Sequence, residues 1–226
     1  MKKIAGVALL LALLWTSPGL ADTVTQSDTA VQVTSMVRFD TTGNEMGGMA
    51  VTATFLGGSH ETVTWAGIGG GTGHALGTGW SLTETGTTFS NIWTLNTGTT
   101  TITNLALDGF PGGTVFDRTN PSLGTPGSDQ GADFLRTSVN PGLDVVATYI
   151  NEVGVGGNPP VGDLFRSLEL AFSTIGGPAG FSGTMTYISD TDNAVVPAIP
   201  EPATMLLLGS GLIGLAGFAR RRFSKK

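Results

Sequence analysis

The stretch "MAVTATF" at residues 49–55 shows a pattern that recurs through most of the chain. Met49, Val51, Ala53 and Phe55 alternate with alanine and threonine, and a period of two places them on one face of a β-strand. Glycine-rich breaks precede and follow the segment. The stretch therefore predicts a strand with one buried face, bounded by turns.

Comparable segments continue almost to the end of the body, and threonine dominates their outward positions. About nine or ten short strands, with no amphipathic helix, predict an all-β fold: an antiparallel β-sandwich, jelly-roll-like. A β-helix is the alternative, but the segments have no fixed repeat period. The segments are 30–40, 61–67, 79–85, 88–96, 99–110, 143–154, 164–173 and 181–189.

Most basic residues lie at the two ends of the chain, and most acidic residues lie in its middle. Between Asp22 and Val196, four arginines face sixteen carboxylates, and lysine is absent. Phosphate binding relies on basic side chains, so this composition argues against nucleic acid as a partner of the body. The chain has no cysteine, which excludes disulfides, thiol nucleophiles and cysteine-based metal sites.

Residues 1–21 have the three parts of a signal peptide. Lys2 and Lys3 form a basic start, Ile4–Leu14 is apolar, and small residues lead up to Ala21. We expect export through the Sec machinery and cleavage by signal peptidase after Ala21. An N-terminal membrane anchor, the alternative, would need about 20 apolar residues.

The apolar segment 203–219 begins directly after Pro202, a residue that helices tolerate in their first turn. It is slightly short of the roughly 20 residues that cross a bilayer core. Arg220, Arg221 and Arg222 follow it and predict a positive-inside membrane stop within a basic tail that ends the chain at residue 226. The segment therefore predicts a single C-terminal transmembrane helix.

Pro200, Glu201 and Pro202 precede this helix, and an Ala-Thr pair follows them. The prolines hold the peptide extended and present one charge between them. Together with the glycine-spotted apolar helix and the terminal arginines, segment 196–226 resembles the PEP-CTERM sorting signal of Gram-negative bacteria. A plain tail anchor with a proline-rich stalk is the alternative.

The resemblance implies that an exosortase, a multi-spanning membrane enzyme with a cysteine nucleophile, recognises Pro200, Glu201 and Pro202. This enzyme would cut near the motif and release or transfer the body, residues 22–195. The resemblance thus implies an inner-membrane-anchored precursor, and then a location at the cell surface or in the exopolysaccharide matrix. None of the three motif residues would be catalytic in this chain.

The most irregular stretch of the body is residues 108–134, which predicts a long functional or mobile loop. Its Phe-Asp-Arg at 116–118, Asn-Pro at 120–121 and Gly-Thr-Pro-Gly-Ser at 124–128, with Asp-Thr-Asp-Asn at 190–193, resemble more loosely a subgroup of PEP-CTERM proteins. That resemblance implies one continuous domain and no settled activity.

Asp190, Asp192 and Asn193 are the strongest metal candidates, because Ca²⁺ takes several carboxylate and carbonyl oxygens from a tight loop. Asp117 and Asp129 would contribute only if the fold brought the long loop close to them. The segment lacks the glycine and the closing glutamate of an EF-hand. A solvated turn before the tail is the alternative, and no other cofactor is predicted.

Other motifs favour plain structural interpretations. His60 and His74 are predicted to be surface imidazoles in polar loops, since no second histidine completes a metal motif. The glycine-rich stretch 66–79 is predicted to be a flexible loop, because a phosphate loop needs a lysine that the body lacks.

Three tryptophans, Trp65, Trp80 and Trp93, lie in period-two patterns that favour core packing over a sugar-stacking platform. The leading interpretation is therefore a non-enzymatic exported surface or matrix protein, with no catalytic residues. The alternatives are a carbohydrate-binding module that retains exopolysaccharide, with or without calcium, and a surface hydrolase. A hydrolase would need a carboxylate pair in a cleft.

Overall fold

The structure is a computed structural model that describes residues 22–27, 29–119, 131–174 and 179–197. The predicted signal peptide and the C-terminal segment from residue 198 onward lie outside the described residues. This segment includes the PEP residues, the predicted apolar helix and the basic tail. The chain divides into two compact units, Met1–Val195 and Val196–Lys226. Among the described residues, no helix has the length and apolar character needed to cross a membrane.

The described residues form sixteen β-strands and two short 3₁₀ segments, which confirms the predicted all-β class. The 3₁₀ segments are Gly43–Met46 and Phe110–Gly112. The strands are β1 (Thr23–Gln26), β2 (Ala30–Val33), β3 (Ser35–Arg38), β4 (Ala50–Phe55), β5 (His60–Thr64), β6 (Ala66–Gly69), β7 (Thr72–Gly77), β8 (Trp80–Thr85), β9 (Trp93–Asn96), β10 (Ile102–Asp108), β11 (Thr114–Asp117), β12 (Leu135–Arg136), β13 (Leu143–Val155), β14 (Leu164–Thr174), β15 (Thr184–Ile188) and β16 (Asp190–Val195).

The strands form two sheets. The larger has ten strands in the order β3-β16-β11-β14-β10-β4-β5, and the long strand β13 joins it beside β14. The smaller has six strands in the order β12-β15-β9-β8-β7-β6. Pairing is antiparallel as predicted, except that β1 and β2 run parallel to β13. The jelly-roll-like sandwich stays a prediction.

One hydrophobic core draws side chains from both sheets. Val51 of β4 and Leu105 of β10 come from the larger sheet, and Leu82 of β8 and Trp93 of β9 come from the smaller one. All four are fully buried. The alternation that predicts a buried face in β4 is confirmed, because its apolar positions belong to this core or pack against it.

The prediction of a flexible glycine-rich loop at residues 66–79 is wrong, because β6 and β7 pair there as a hairpin. Gly70 and Gly71 turn the chain with positive φ angles of 62° and 76°. Gly73 has a different role: a Cβ at this position would collide with Trp65 Nε1 and the Gly43 carbonyl oxygen. Glycine thus lets the strand backbone pack directly against a buried indole.

The strand count also exceeds the predicted nine or ten. The segment 30–40 is split at Thr34 into β2 and β3, which pair with different neighbours. The stretch 108–134, predicted to be a loop, contains β11, a fully buried strand between β14 and β16. Strands of four residues carry too few alternating positions to stand out in the sequence.

Candidate functional site

Three aspartates come together where β11 and β16 pair in the larger sheet. Asp117, the last residue of β11, is the register partner of Asp190, the first residue of β16. Asp192 lies two residues further along β16 and therefore on the same face. One carboxylate oxygen from each residue lies within 4.8 Å of the other two, and the residues are only 0–1% exposed.

The face that carries these carboxylates is covered by the chain that returns from residue 131. Phe116 belongs to the hydrophobic core, so its neighbour Asp117 points to the other side of the sheet. A Cβ at Gly131 would lie 2.5 Å from Asp117 Oδ1, and the Asp190 N–H donates to the Ala132 carbonyl at 3.1 Å. This close backbone cover explains why carboxylates facing away from the core are buried.

The Asp190 side chain is held by one of its two oxygens. Its Oδ1 accepts hydrogen bonds from Thr88 Oγ1 and from the Thr191 backbone N–H, both at 2.8 Å. Its Oδ2 is buried and has no hydrogen-bond partner among the residues that the structure describes. Burial raises the pKa of Asp190 to about 6, although the two hydrogen bonds lower it in part.

The structure places Asp190 and Asp192 in one group. It also brings Asp117 of the predicted long loop close to them, which was the condition for Asp117 to contribute. Asp129 lies outside the described residues. Sequence alone could not establish that Asp117 lies beside Asp190, because their proximity depends on the pairing of two segments that are far apart in the chain.

Asn193 is engaged elsewhere. Its Oδ1 accepts a hydrogen bond from Thr41 Oγ1 at 2.8 Å, and its Nδ2 donates to the Glu45 carbonyl at 3.3 Å. Adjacent residues of a strand point to opposite faces, so Asn193 and Asp192 lie on different sides of β16. The amide that sequence suggested as a calcium ligand instead attaches β16 to the first 3₁₀ segment.

The arginines of the body pair with carboxylates outside the aspartate group. Arg118 follows Asp117 in sequence, but its guanidinium forms two 3.0 Å hydrogen bonds with Asp133. It also lies 4.9 Å from the centre of the Tyr149 ring. The remaining pairs are Arg38 with Glu45, Arg136 with Asp22 and Arg166 with Asp108.

The three tryptophans of the body are 0–4% exposed, which confirms the prediction of core packing. Each indole N–H also has an acceptor at 2.7–3.0 Å. The acceptors are the Gly43 carbonyl for Trp65, the Glu61 carboxylate for Trp80 and the Ser189 carbonyl for Trp93.

The C-terminal segment, which lies outside the described residues, was compared with known protein families by sequence. Residues 198–222 match the model of the PEP-CTERM protein-sorting motif. The chain carries a PEP-CTERM sorting signal. The motif implies export, a membrane-anchored precursor in the cell envelope and an exosortase as processing partner. Comparison with the curated proteins and with the solved structures gives no match for the chain.

The body of this PEP-CTERM protein also buries an acid that the sequence reading missed. Glu84 continues the inward face of β8 after Trp80 and Leu82, and it is 1% exposed. Burial raises the pKa of Glu84 to about 8, and the Gly43 backbone offsets part of this effect. Strict alternation along β8 could have revealed it, because Glu84 occupies the next inward position.

Two further features of the PEP-CTERM body bear on its chemistry. His60 and His74 lie in strands β5 and β7, not in the polar loops predicted for them. A surface groove of about 400 Å³ lies beside Leu56 and Phe181, and its described lining carries hydroxyl, amide and apolar groups without a carboxylate. Neither feature supplies the paired acids that a glycoside hydrolase would need.

Proposed function

We propose that the body of this PEP-CTERM protein is a non-enzymatic component of the cell surface or exopolysaccharide matrix. An exosortase delivers it by cutting near Pro200, Glu201 and Pro202. The observation that carries this proposal is the sorting motif at residues 198–222, since the motif implies export and processing. The destination and the structural role of the body are the parts that the proposal adds.

The tryptophans favour a structural role over carbohydrate binding. A sugar-stacking platform needs several aromatic rings exposed on one surface. Trp65, Trp80 and Trp93 instead fill the core, and Trp93 stacks on Tyr187 with ring centres 5.8 Å apart. Their large apolar surfaces therefore contribute to the stability of the body and are not available to a ligand.

The acids favour a structural role over hydrolysis. A glycosidase places two carboxyl groups where a substrate can reach both of them. The group formed by Asp117, Asp190 and Asp192 is closely packed and covered by backbone, so a sugar chain cannot enter it. Glu84 is equally enclosed within the core-facing side of β8.

The proposal includes a sandwich arrangement, jelly-roll-like, for the two sheets. The support is that one core contains side chains from both sheets, as expected where two sheets pack face to face. A module with one core shared by two sheets, exported as a non-enzymatic component, suits a scaffold role in a surface layer.

The test is to fractionate the native host and locate the body. An epitope inserted between Gly57 and Gly58, in the exposed turn between β4 and β5, would mark the body without entering the core. We expect the tagged body in the surface or matrix fraction. Retention of the tagged chain in the inner membrane, at the full length left after signal-peptide removal, would overturn the proposal.

A further inference from the structure

We propose that Asp117, Asp190 and Asp192 bind one calcium ion that joins β11 to β16. This inference goes beyond the sorting function and does not depend on it. It also changes the ligand set expected from sequence, because Asp117 takes the place of Asn193.

The geometry suits one ion reached by all three residues. Calcium–oxygen bonds are about 2.3–2.6 Å long, so ligands on opposite sides of the ion are roughly 4.6–5.2 Å apart. The three carboxylate oxygens lie within 4.8 Å of one another, inside that limit. Magnesium holds its ligands at about 2.0–2.1 Å in a strict octahedron, which makes it less suited to ligands fixed on two strands.

The second observation is the state of Asp190. Thr88 and Thr191 hold its Oδ1, which fixes the orientation of the carboxylate within the aspartate group. Its Oδ2 is buried, with no hydrogen-bond partner among the described residues, in a residue that is 1% exposed. Buried polar atoms are normally paired, and buried charges are paired or coordinate metals. A cation ligand is the role that this oxygen fits.

The negative charge of the aspartate group also favours a bound cation. Acids at directly opposed positions of a strand pair repel each other, and burial strengthens the repulsion. Hydrogen-bond donors orient carboxylates but do not remove their negative charge. The body has four arginines and no lysine, and each of the four pairs with a carboxylate outside the group. A divalent cation would offset the negative charge of the three aspartates, since the arginines pair with other carboxylates.

The donor set specifies the class of ion. Three carboxylates, with neither histidine nor cysteine, select a hard cation rather than zinc or copper. Calcium accepts six to eight oxygens in flexible geometry, so backbone carbonyls or water would complete the shell. The backbone at Gly131 and Ala132 packs against the group and is one place from which a carbonyl oxygen could come.

Calcium binding can be measured on the purified full-length chain in detergent, after metal removal with a chelator. Equilibrium dialysis with radioactive calcium is expected to give one ion per chain, with no competition from an equal concentration of magnesium. Saturating calcium is expected to raise the Tm by about 5 °C, because a ligand that binds only the folded state stabilises it. Absence of binding at roughly 10 mM calcium, above the range of extracellular calcium modules, would overturn the proposal. Equal binding of magnesium would also overturn it.

Variants locate the site. Asp117→Asn and Asp192→Asn are each expected to lower calcium affinity by about tenfold or more, since affinity follows the number of charged ligands. Asp40→Asn is the matched control, because the Asp40 side chain is 78% exposed, and it should bind calcium as the wild type does. Wild-type affinity in both site variants would refute this assignment. If a variant fails to fold, one ion per chain in the wild type supports the site and none refutes it.

Discussion

Asp117 lies directly opposite Asp190 in the β11–β16 pair, with both side chains buried. The register fixes this relationship, because a shift by one residue would place Asp117 opposite a serine or threonine and turn the two acids to different faces. The pair therefore places two carboxyl groups opposite each other within the sheet, where they repel each other when both are ionised. Such a contact destabilises the strand pair when no cation is bound.

Asp190→Asn should have effects of opposite sign with and without calcium. The substituted amide can keep the Oδ1 hydrogen bonds to Thr88 and Thr191 while removing one of three clustered charges. In chelator, above the pKa of about 6 that burial gives Asp190, we expect the free energy of unfolding to rise by roughly 0.5–1 kcal/mol. In saturating calcium, the variant should be less stable than the wild type, because it lacks one charged ligand. Urea unfolding in both conditions measures the difference, and a loss of stability in both would contradict this explanation.

Glu84 should make the body less stable as pH rises. The pKa of Glu84 is raised from 4.5 to about 8 in the folded body. Its contribution to the free energy of unfolding is therefore complete below about pH 4.5 and falls until the pH passes 8. Between these values the unfolded chain loses the proton while the folded chain keeps it. The loss is at most about 1.4 kcal/mol per pH unit. Glu84→Gln should remove this slope in urea unfolding measured above pH 6, where the raised pKa of Asp190 no longer contributes.

Glu61→Gln is the matched control for Glu84. Hydrogen bonds from the Thr78 backbone, the Trp80 indole and the Thr78 hydroxyl lower the pKa of Glu61. Because the pKa of Glu61 is lower in the folded body than in the unfolded chain, its contribution to stability is present above the unfolded pKa and is lost as pH falls. This variant should therefore alter the dependence of stability on pH only at acid pH. An identical slope in wild type and Glu84→Gln between about pH 6 and 8 would show that Glu84 is not the cause.

Gly73→Ala should destabilise the body by about 1–3 kcal/mol, because the added methyl group overpacks the contact between β7 and the Trp65 indole. Gly47→Ala is the control, since the nearest atom to its added Cβ is 4.0 Å away and its φ is negative. Thermal unfolding followed by tryptophan fluorescence compares the two. Equal Tm values for both variants would mean that the close approach at Gly73 is not required.

The parts of the fold that could be predicted from sequence are those encoded locally. Alternation over residues 49–55 predicts the buried face of β4, because burial in a strand repeats with period two. The hairpin at residues 66–77 could not be predicted, since its glycines serve contacts with Trp65 and Gly43 that are visible only in the folded chain. Propensity alone counts such glycines against a strand.

The aspartate group likewise has members that could be predicted from sequence and one that could not. Asp190 and Asp192 stand out in the sequence as neighbours in one short acidic segment. The membership of Asp117 follows from the β11–β16 register, which joins segments far apart in the chain and is set by the topology of the whole sheet. The sorting signal, by contrast, is a linear motif, so sequence sufficed to predict it.

Exosortase processing is tested most directly by the intact mass of the protein recovered from its native host. In the wild type, we expect the mass to end near Pro200, Glu201 and Pro202, since the motif at residues 198–222 implies exosortase processing. With all three residues replaced by alanine, the chain should keep its C-terminal segment. If the triple-alanine variant still had the processed mass, exosortase recognition of the three residues would be refuted.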